Sequence, residues 1–150
     1  MSSSLNIDEN LILLDQHAAT KEQAIRMAGD LLVKNDYVEA PYVDSMLERN
    51  KDVSVYMGNF IAIPHGTEDG KQYIKKTGIS IVQLPFGVDF SDDSSVEKVV
   101  TVVFGIAGLN DEHLELLQKI AIFCSDLNNV VKLADAQSKK EIVEMLKGVE

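Results

Sequence analysis

Hydrophobic residues recur at helical spacing in the first third of the chain. Thr20 is placed to act as an N-cap, and Gln23 follows at the position that completes a capping box. The apolar face of this predicted helix consists of Ala24, Met27, Ala28, Leu31 and Leu32. The pair Asn35-Asp36 should end it. Pro41 suits the first turn of a second helix, which we expect to continue to about Asn50.

The pattern then changes to short apolar runs that are typical of strands. Strands are predicted at Leu11–Leu14, Ser54–Met57, Phe60–Ile63, Thr77–Leu84 and Lys98–Ala107. The last run has almost no polar alternation, which is the pattern of a strand covered on both faces. We therefore expect this strand to lie in the centre of the sheet.

More helices are predicted in the last third of the chain. Asn110 is the expected N-cap of a long helix, and another helix is expected near Asn128–Ala136. Ser138 and Glu141 form a second capping box, which should begin the last helix. Helices at both ends with strands between them predict an α/β fold, in which a mixed, mainly parallel sheet carries helices on both faces. Because the chain has no internal repeat or linker, it is interpreted as a single domain, residues 1–150.

Composition and charge narrow the classes of function. The formal net charge is −10 and the sequence pI about 4.7, which argues against binding to nucleic acid, because such binding depends on Lys and Arg. The same charge should repel an anionic membrane and steer a basic protein toward contact, or it serves only solubility. The single cysteine, Cys124, excludes an internal disulfide. Without a signal-peptide pattern or an apolar run of about 20 residues, we expect a cytoplasmic protein with no membrane insertion.

His65 is the first candidate for chemistry, because it closely follows a predicted buried strand. Pro64 lacks an amide hydrogen and should end that strand, which leaves His65 where reactive side chains of α/β proteins are common. Gly66 has no side chain, so that another molecule could approach closely. Thr67 and nearby amides can fix one ring nitrogen and leave the other as a nucleophile. The alternative is a loop histidine that only satisfies a local hydrogen bond.

Two more residues offer hydrogen-bond donors to an anion. His113 is expected in the first turn of a helix, where exposed amides attract anions and disfavour a charged imidazolium; a neutral ring can still donate. Arg49, near the end of the second helix, can bind phosphoryl oxygens with two hydrogen bonds. The alternatives are a solvated His113, and an Arg49 that pairs with Glu48 or Asp52 or only complements its helix terminus.

The third histidine and the motifs that the sequence lacks restrict the other readings. His17, between the first strand and the first helix, is interpreted as a structural or surface residue. The histidines lack a metal-ligand spacing, so we expect neither a metal ion nor another cofactor. The sequence also has no Gly-rich nucleotide loop and no Gly-x-Ser-x-Gly motif. A metal-dependent hydrolase that uses the histidines is kept as a separate, contrasting hypothesis.

Three segments together resemble those of a known family. They are Met57–Thr67, which contains Ile-Pro-His-Gly-Thr, Met46–Arg49 and Asn110–His113. The similarity extends to Thr77-Gly78 and Gln83–Val88, in the same order along nearly the whole chain. The family is the mannitol/fructose-type enzyme IIA of the bacterial phosphoenolpyruvate-dependent sugar phosphotransferase system. The first segment is most similar to the mannitol branch.

The resemblance implies a phosphocarrier that transfers phosphoryl groups between proteins. Nε2 of His65 would accept the group from phospho-HPr, a small phosphocarrier protein, and pass it to a cysteine of the mannitol-type enzyme IIB, which serves the membrane permease IIC. His113 and Arg49 match positions that surround the phosphoryl group. Asn59 departs from the family pattern, because mannitol-type members often carry an acidic residue near it. The alternative is a regulatory module that binds target proteins according to the phosphorylation state of His65.

Overall fold

A computed structural model describes residues 7–91 and 96–147, and within these ranges one five-stranded sheet lies between two layers of helices. The strands are β1 (Ile12–Leu13), β2 (Tyr56–Gly58), β3 (Ile61–Ala62), β4 (Gly78–Asp89) and β5 (Val99–Ala107). The helices are α1 (Lys21–Lys34), α2 (Pro41–Asp52), α3 (Glu112–Cys124), α4 (Leu127–Asp135) and α5 (Lys139–Lys147). Short 3₁₀ helices occupy Glu9–Leu11 and Asp69–Tyr73.

Three of the helix starts follow local sequence signals. The hydroxyl of Thr20 accepts a hydrogen bond from the amide of Gln23 at 3.1 Å. Ser138 accepts one from the amide of Glu141, also at 3.1 Å. Because these side chains satisfy amides that the helix itself leaves unpaired, they define where α1 and α5 begin. The predicted N-caps at Thr20 and Ser138 and the start of α2 at Pro41 are confirmed, while the side chains of Gln23 and Glu141 accept from the amide one residue before each cap.

Several boundaries differ from the sequence prediction, and β2 and β3 are both shorter than the predicted strands; three other differences have a clear local cause. The N-cap of α3 is Asp111, because Asn110 adopts a positive φ of 57° that turns the chain ahead of the helix. The predicted cap at Asn110 is therefore wrong. β1 is shorter than expected, since Leu11 belongs to a 3₁₀ helix. β4 continues past Pro85 to Asp89, because a register shift removes Pro85 from the regular ladder, where its missing amide hydrogen would otherwise leave a gap.

The strand order is β1-β4-β5-β3-β2. β1 pairs with β4 and β3 with β5 in parallel, whereas the β4–β5 and β2–β3 pairs are antiparallel. The predicted α/β fold, with a mixed sheet between helices, is confirmed; its two parallel pairings accompany a longer antiparallel one. β5 is the central strand, as its uninterrupted apolar pattern predicted.

Side chains of β5 alternate between two hydrophobic cores. Val103 packs in the core that α1 and α2 cover, whereas Val102, Phe104 and Ile106 pack in the core that α3, α4 and α5 cover. All four side chains are fully buried. The helices on the two faces thereby hold β5 and the segments that leave its end in fixed positions.

Candidate active site

The candidate site forms at the edge of the sheet where β3 and β5 end. Because these two strands are parallel, the segments that follow them meet at one edge. The segment after β3 makes a further bridge between His65 and Ile106 of β5, and α3 begins soon after β5. The rings of His65 and His113 consequently lie with their centroids 6.5 Å apart and their planes tilted by 31°.

A cavity of about 520 Å³ opens at this edge, and all three predicted site residues line it. Arg49 reaches it from the last turn of α2, His65 from the segment after β3, and His113 from the first turn of α3. Residues far apart in the sequence are thus brought around one space. A group bound to either imidazole would lie close to the other ring.

The ring of His65 is held with one nitrogen free. Its Nδ1 lies 2.9 Å from the carbonyl oxygen of Ile63, and since a carbonyl can only accept, the proton is on Nδ1 and the Nε2 lone pair is available. Burial lowers the pKa of His65, the bond to the Ile63 carbonyl opposes this, and the positive charge of Arg49 lowers the pKa further. The neutral ring is therefore favoured. Thr67, which was expected to fix the ring, bonds within its own turn instead.

Gly66 is closed to other molecules, contrary to the expectation from sequence. A Cβ at this position would lie 2.4 Å from Oγ of Ser45 and 2.5 Å from Cε1 of Tyr42. Helix α2 therefore fills the space that the missing side chain leaves. The glycine lets α2 pack directly against the backbone beside His65, which is the physical reason for a glycine there.

Arg49 lines the cavity without an ion-pair partner among the residues that the structure describes. Among the ion pairs between described residues, none involves Arg49, so neither Glu48 nor Asp52 neutralises it. Its place in the last turn of α2 is favourable for a cation. A planar guanidinium without a carboxylate partner is ready to bind an oxyanion with two hydrogen bonds.

His113 is positioned by tight packing at the start of α3. A Cβ on Gly108 would lie 2.3 Å from the amide nitrogen of His113, so only glycine fits there. The hydroxyl of Thr77 accepts from the amide of Leu109 at 3.0 Å and donates to the carboxylate of Glu112. Nδ1 of His113 is buried and has no hydrogen-bond partner among the described residues. The other ring nitrogen, Nε2, is therefore the one that can interact with a group in the cavity.

Sequence reasoning missed several residues of this site. Lys71 lines the cavity and pairs with Glu68 at 3.1 Å. Tyr42 also lines it from α2, where it was unremarked among the apolar positions of the helix. Gly108, which follows β5, lines the cavity as well. Thr77 and Gly108 stand in or near the segments that resemble the family, which is the only signal that could have marked them.

Two residues considered from sequence lie away from the cavity. His17 stacks on the exposed ring of Phe86 with centroids 5.1 Å apart, near the other end of the sheet. The side chain of Asn59 donates to the carbonyl of Cys124, at 3.0 Å, where α3 ends. Since the 13 residues of α3 span roughly 20 Å, Asn59 is far from His113 at the other end of the helix. Position 59 is therefore structural in this chain.

Residues 7–91 and 96–147 contain neither a metal-binding cluster nor a membrane-spanning helix. No group of three or more His, Cys, Asp or Glu side chains there is arranged to hold a metal ion. In the same ranges no helix combines the length and the apolar composition that a membrane span requires.

Comparisons with known sequences all point to the same family. The family described as phosphoenolpyruvate-dependent sugar phosphotransferase system, EIIA 2, matches residues 6–149. A mannitol-specific phosphotransferase enzyme IIA component from Enterococcus faecalis is 55% identical over 141 residues, which cover 94% of this chain and 97% of that protein. A mannitol-specific EIICBA component from Vibrio cholerae is 43% identical over 144 residues, which cover 96% of this chain and 22% of that longer protein.

A solved structure agrees with this family. It is the complex of enzyme IIAMTL and phosphorylated enzyme IIBMTL from Escherichia coli, in which one chain matches with a TM-score of 0.89 and 38% identity. The match covers 96% of this chain and 99% of that chain. The protein therefore belongs to the EIIA 2 family of the phosphoenolpyruvate-dependent sugar phosphotransferase system. Like the other members, it is a phosphotransferase component of that system, and the resemblance seen in the sequence is confirmed.

Proposed function

We propose that His65 accepts a phosphoryl group from phospho-HPr on Nε2 and passes it to a cysteine of a mannitol-type enzyme IIB, in the cytoplasm. The observation that carries this proposal is the geometry of His65: its Nδ1 is bonded to the carbonyl of Ile63, and its free Nε2 shares a cavity with the guanidinium of Arg49, which has no ion pair among the described residues. A nucleophile and an oxyanion-binding cation in one open space are what phosphoryl transfer requires.

The choice of partners and sugar rests on the relatives. The Enterococcus faecalis protein is named for mannitol, and the Escherichia coli structure joins a IIA chain to phosphorylated IIB. The name of the Vibrio cholerae protein, EIICBA, places the A component in one chain with B and C. By extension, this protein would serve mannitol uptake through enzyme IIB and the membrane permease IIC.

The chemistry needs no metal ion. In the first step a bond forms between phosphorus and Nε2 of His65 while the bond between phosphorus and the donor breaks, in line and through a loose transition state. Negative charge gathers on the three equatorial oxygens. Arg49, Nε2–H of His113 and amides at the start of α3 would donate hydrogen bonds to these oxygens.

The tautomer of each ring matters in this scheme. Placing the proton of His113 on Nε2 leaves only a lone pair at its buried Nδ1 and gives the cavity a donor. On His65 the proton stays on Nδ1, bonded to Ile63, so that the phosphorylated ring is cationic. A cationic ring is a good leaving group in the second step, when the sulfur–phosphorus bond forms and the nitrogen–phosphorus bond breaks.

Partner docking must be brief, because HPr and IIB need the same cavity in turn. Contacts that bury less than about 1,200 Å² are typical of such transient exchanges. The net charge of −10 would steer a basic partner toward this chain and raise the association rate more than the affinity.

The relay itself is the test of this function. We expect ³²P-labelled phospho-HPr to label this protein at one site, and the label to move on when a mannitol-type enzyme IIB is added. An enzyme IIB whose acceptor cysteine is replaced by serine is the matched control and should leave the label in place. Label that is accepted but never reaches IIB would favour the regulatory module instead, and a protein that takes no label is not a phosphocarrier.

A further inference from the structure

The hydroxyl of Tyr42 makes two hydrogen bonds that no part of the proposed chemistry uses. It accepts from the amide of Gly66 at 2.9 Å and donates to the carbonyl oxygen of Ile106 at 2.7 Å. The side chain is buried, with 2% of its surface exposed. Burial raises the pKa of Tyr42 to about 12, so the hydroxyl keeps the proton that it donates.

Together with one backbone hydrogen bond, these bonds anchor the chain on both sides of His65. The amide of Ile106 donates to the carbonyl oxygen of Pro64 at 2.9 Å, on one side of His65. On the other side, Gly66 reaches the carbonyl of the same Ile106 through the Tyr42 hydroxyl. The backbone before and after the histidine is thus anchored to one residue of the central strand.

Helix α2, which carries Tyr42, also carries the cationic residue Arg49. Tyr42 and Arg49 are both on α2, seven residues apart, which is close to two turns and puts them on the same face. The contact between Tyr42 and Gly66 therefore also fixes where the helix that carries Arg49 lies relative to the backbone of His65. Ser45, between them, packs where a Gly66 side chain would be.

We propose that Tyr42 is a positioning residue: its hydroxyl ties α2 and β5 to the backbone of His65 and so aims Nε2 into the cavity beside Arg49. The proposal rests on the proposed function of His65, although the orientation of the ring can be measured without any phosphoryl transfer. If the tie is lost, the segment after Pro64 is free to shift, and the bond from Nδ1 to Ile63 weakens with it.

The test compares Tyr42→Phe with Tyr37→Phe. Both changes remove one tyrosine hydroxyl; that of Tyr37 bonds Asp8 at 3.3 Å and makes no contact with His65. ¹⁵N NMR of the histidine rings reports the tautomer of His65, and single-turnover transfer from phospho-HPr gives the rate and its dependence on donor concentration. Circular dichroism checks that each variant is folded.

For Tyr42→Phe we expect a mixture of His65 tautomers and a transfer rate lower by on the order of 10–100-fold, the scale for misplacing a reacting group. The half-saturating concentration of phospho-HPr should stay within about twofold, because the docking surface is unchanged. Tyr37→Phe should match the wild type in both measurements.

Three results would overturn the proposal. The first is a wild-type ring spectrum in Tyr42→Phe, whether or not transfer is slow, and the second is an equal effect of Tyr37→Phe. The third is a Tyr42→Phe protein that does not fold, since the hydroxyl would then serve stability. If the wild-type protein takes no label from phospho-HPr, the proposed function fails, and the ring spectrum alone still decides whether Tyr42 orients His65.

Discussion

His65→Ala is expected to leave the protein with no label after incubation with ³²P-labelled phospho-HPr. The change removes the only ring that combines a free Nε2, a fixed Nδ1 proton and a place in the cavity beside Arg49. His113 cannot substitute for it, because its buried Nδ1 has no hydrogen-bond partner among the described residues and its other nitrogen is assigned to donate. Separation of the proteins on a denaturing gel and counting of the label measure the effect.

His17→Ala is the matched control for this experiment. His17 is exposed, stacks on Phe86 and lies near the other end of the sheet, so its removal should leave labelling at the wild-type level. Persistent label in the folded His65→Ala variant would assign the accepting group to another residue. Loss of label in His17→Ala would show that the assay responds to any histidine substitution.

Arg49→Gln is expected to slow transfer from phospho-HPr by roughly 10–1,000-fold, the scale for losing one donor that meets transition-state charge. Glutamine keeps hydrogen-bonding capacity but removes the positive charge and the planar pair of donors. Because negative charge grows on the phosphoryl oxygens as the reaction proceeds, we expect the substitution to slow mainly the transfer step. Rapid-quench measurement of single turnovers separates that step from docking.

The chain offers one matched control, since its only other arginine is Arg26. Arg26 is exposed on α1, and Arg26→Gln changes the net charge by the same amount. Any general weakening of the electrostatic field is therefore common to both variants. A wild-type rate in Arg49→Gln would make the guanidinium structural, and an equal loss in both variants would assign the effect to net charge rather than to contact with the phosphoryl group.

The parts of the fold that local chemistry determines could be predicted from the sequence. The N-caps at Thr20 and Ser138 and the proline at position 41 act within a few residues, so α1, α2 and α5 begin where the sequence places them. The central position of β5 follows from its continuous apolar pattern. His65 could also be predicted as a site residue, because it closely follows a buried strand.

The parts that depend on contacts between distant segments could not be predicted. β4 runs past Pro85 only because its pairing with β5 shifts register there, and that shift leaves no local signal. Thr67 was the nearest candidate to hold the ring of His65, but the backbone geometry brings the carbonyl of Ile63 to it instead. Tyr42 contacts Ile106 across 64 residues of sequence, so its pattern within α2 shows only a buried aromatic residue.

The central claim is that Nε2 of His65 carries the phosphoryl group. The most direct measurement is NMR of the ¹⁵N-labelled protein after phosphorylation, in which ³¹P–¹⁵N coupling identifies the bonded nitrogen. We predict coupling to Nε2 of His65 alone, with Nδ1 still protonated and bonded to the carbonyl of Ile63. Coupling to Nδ1 of His65, or to either nitrogen of His113 or His17, would contradict the account.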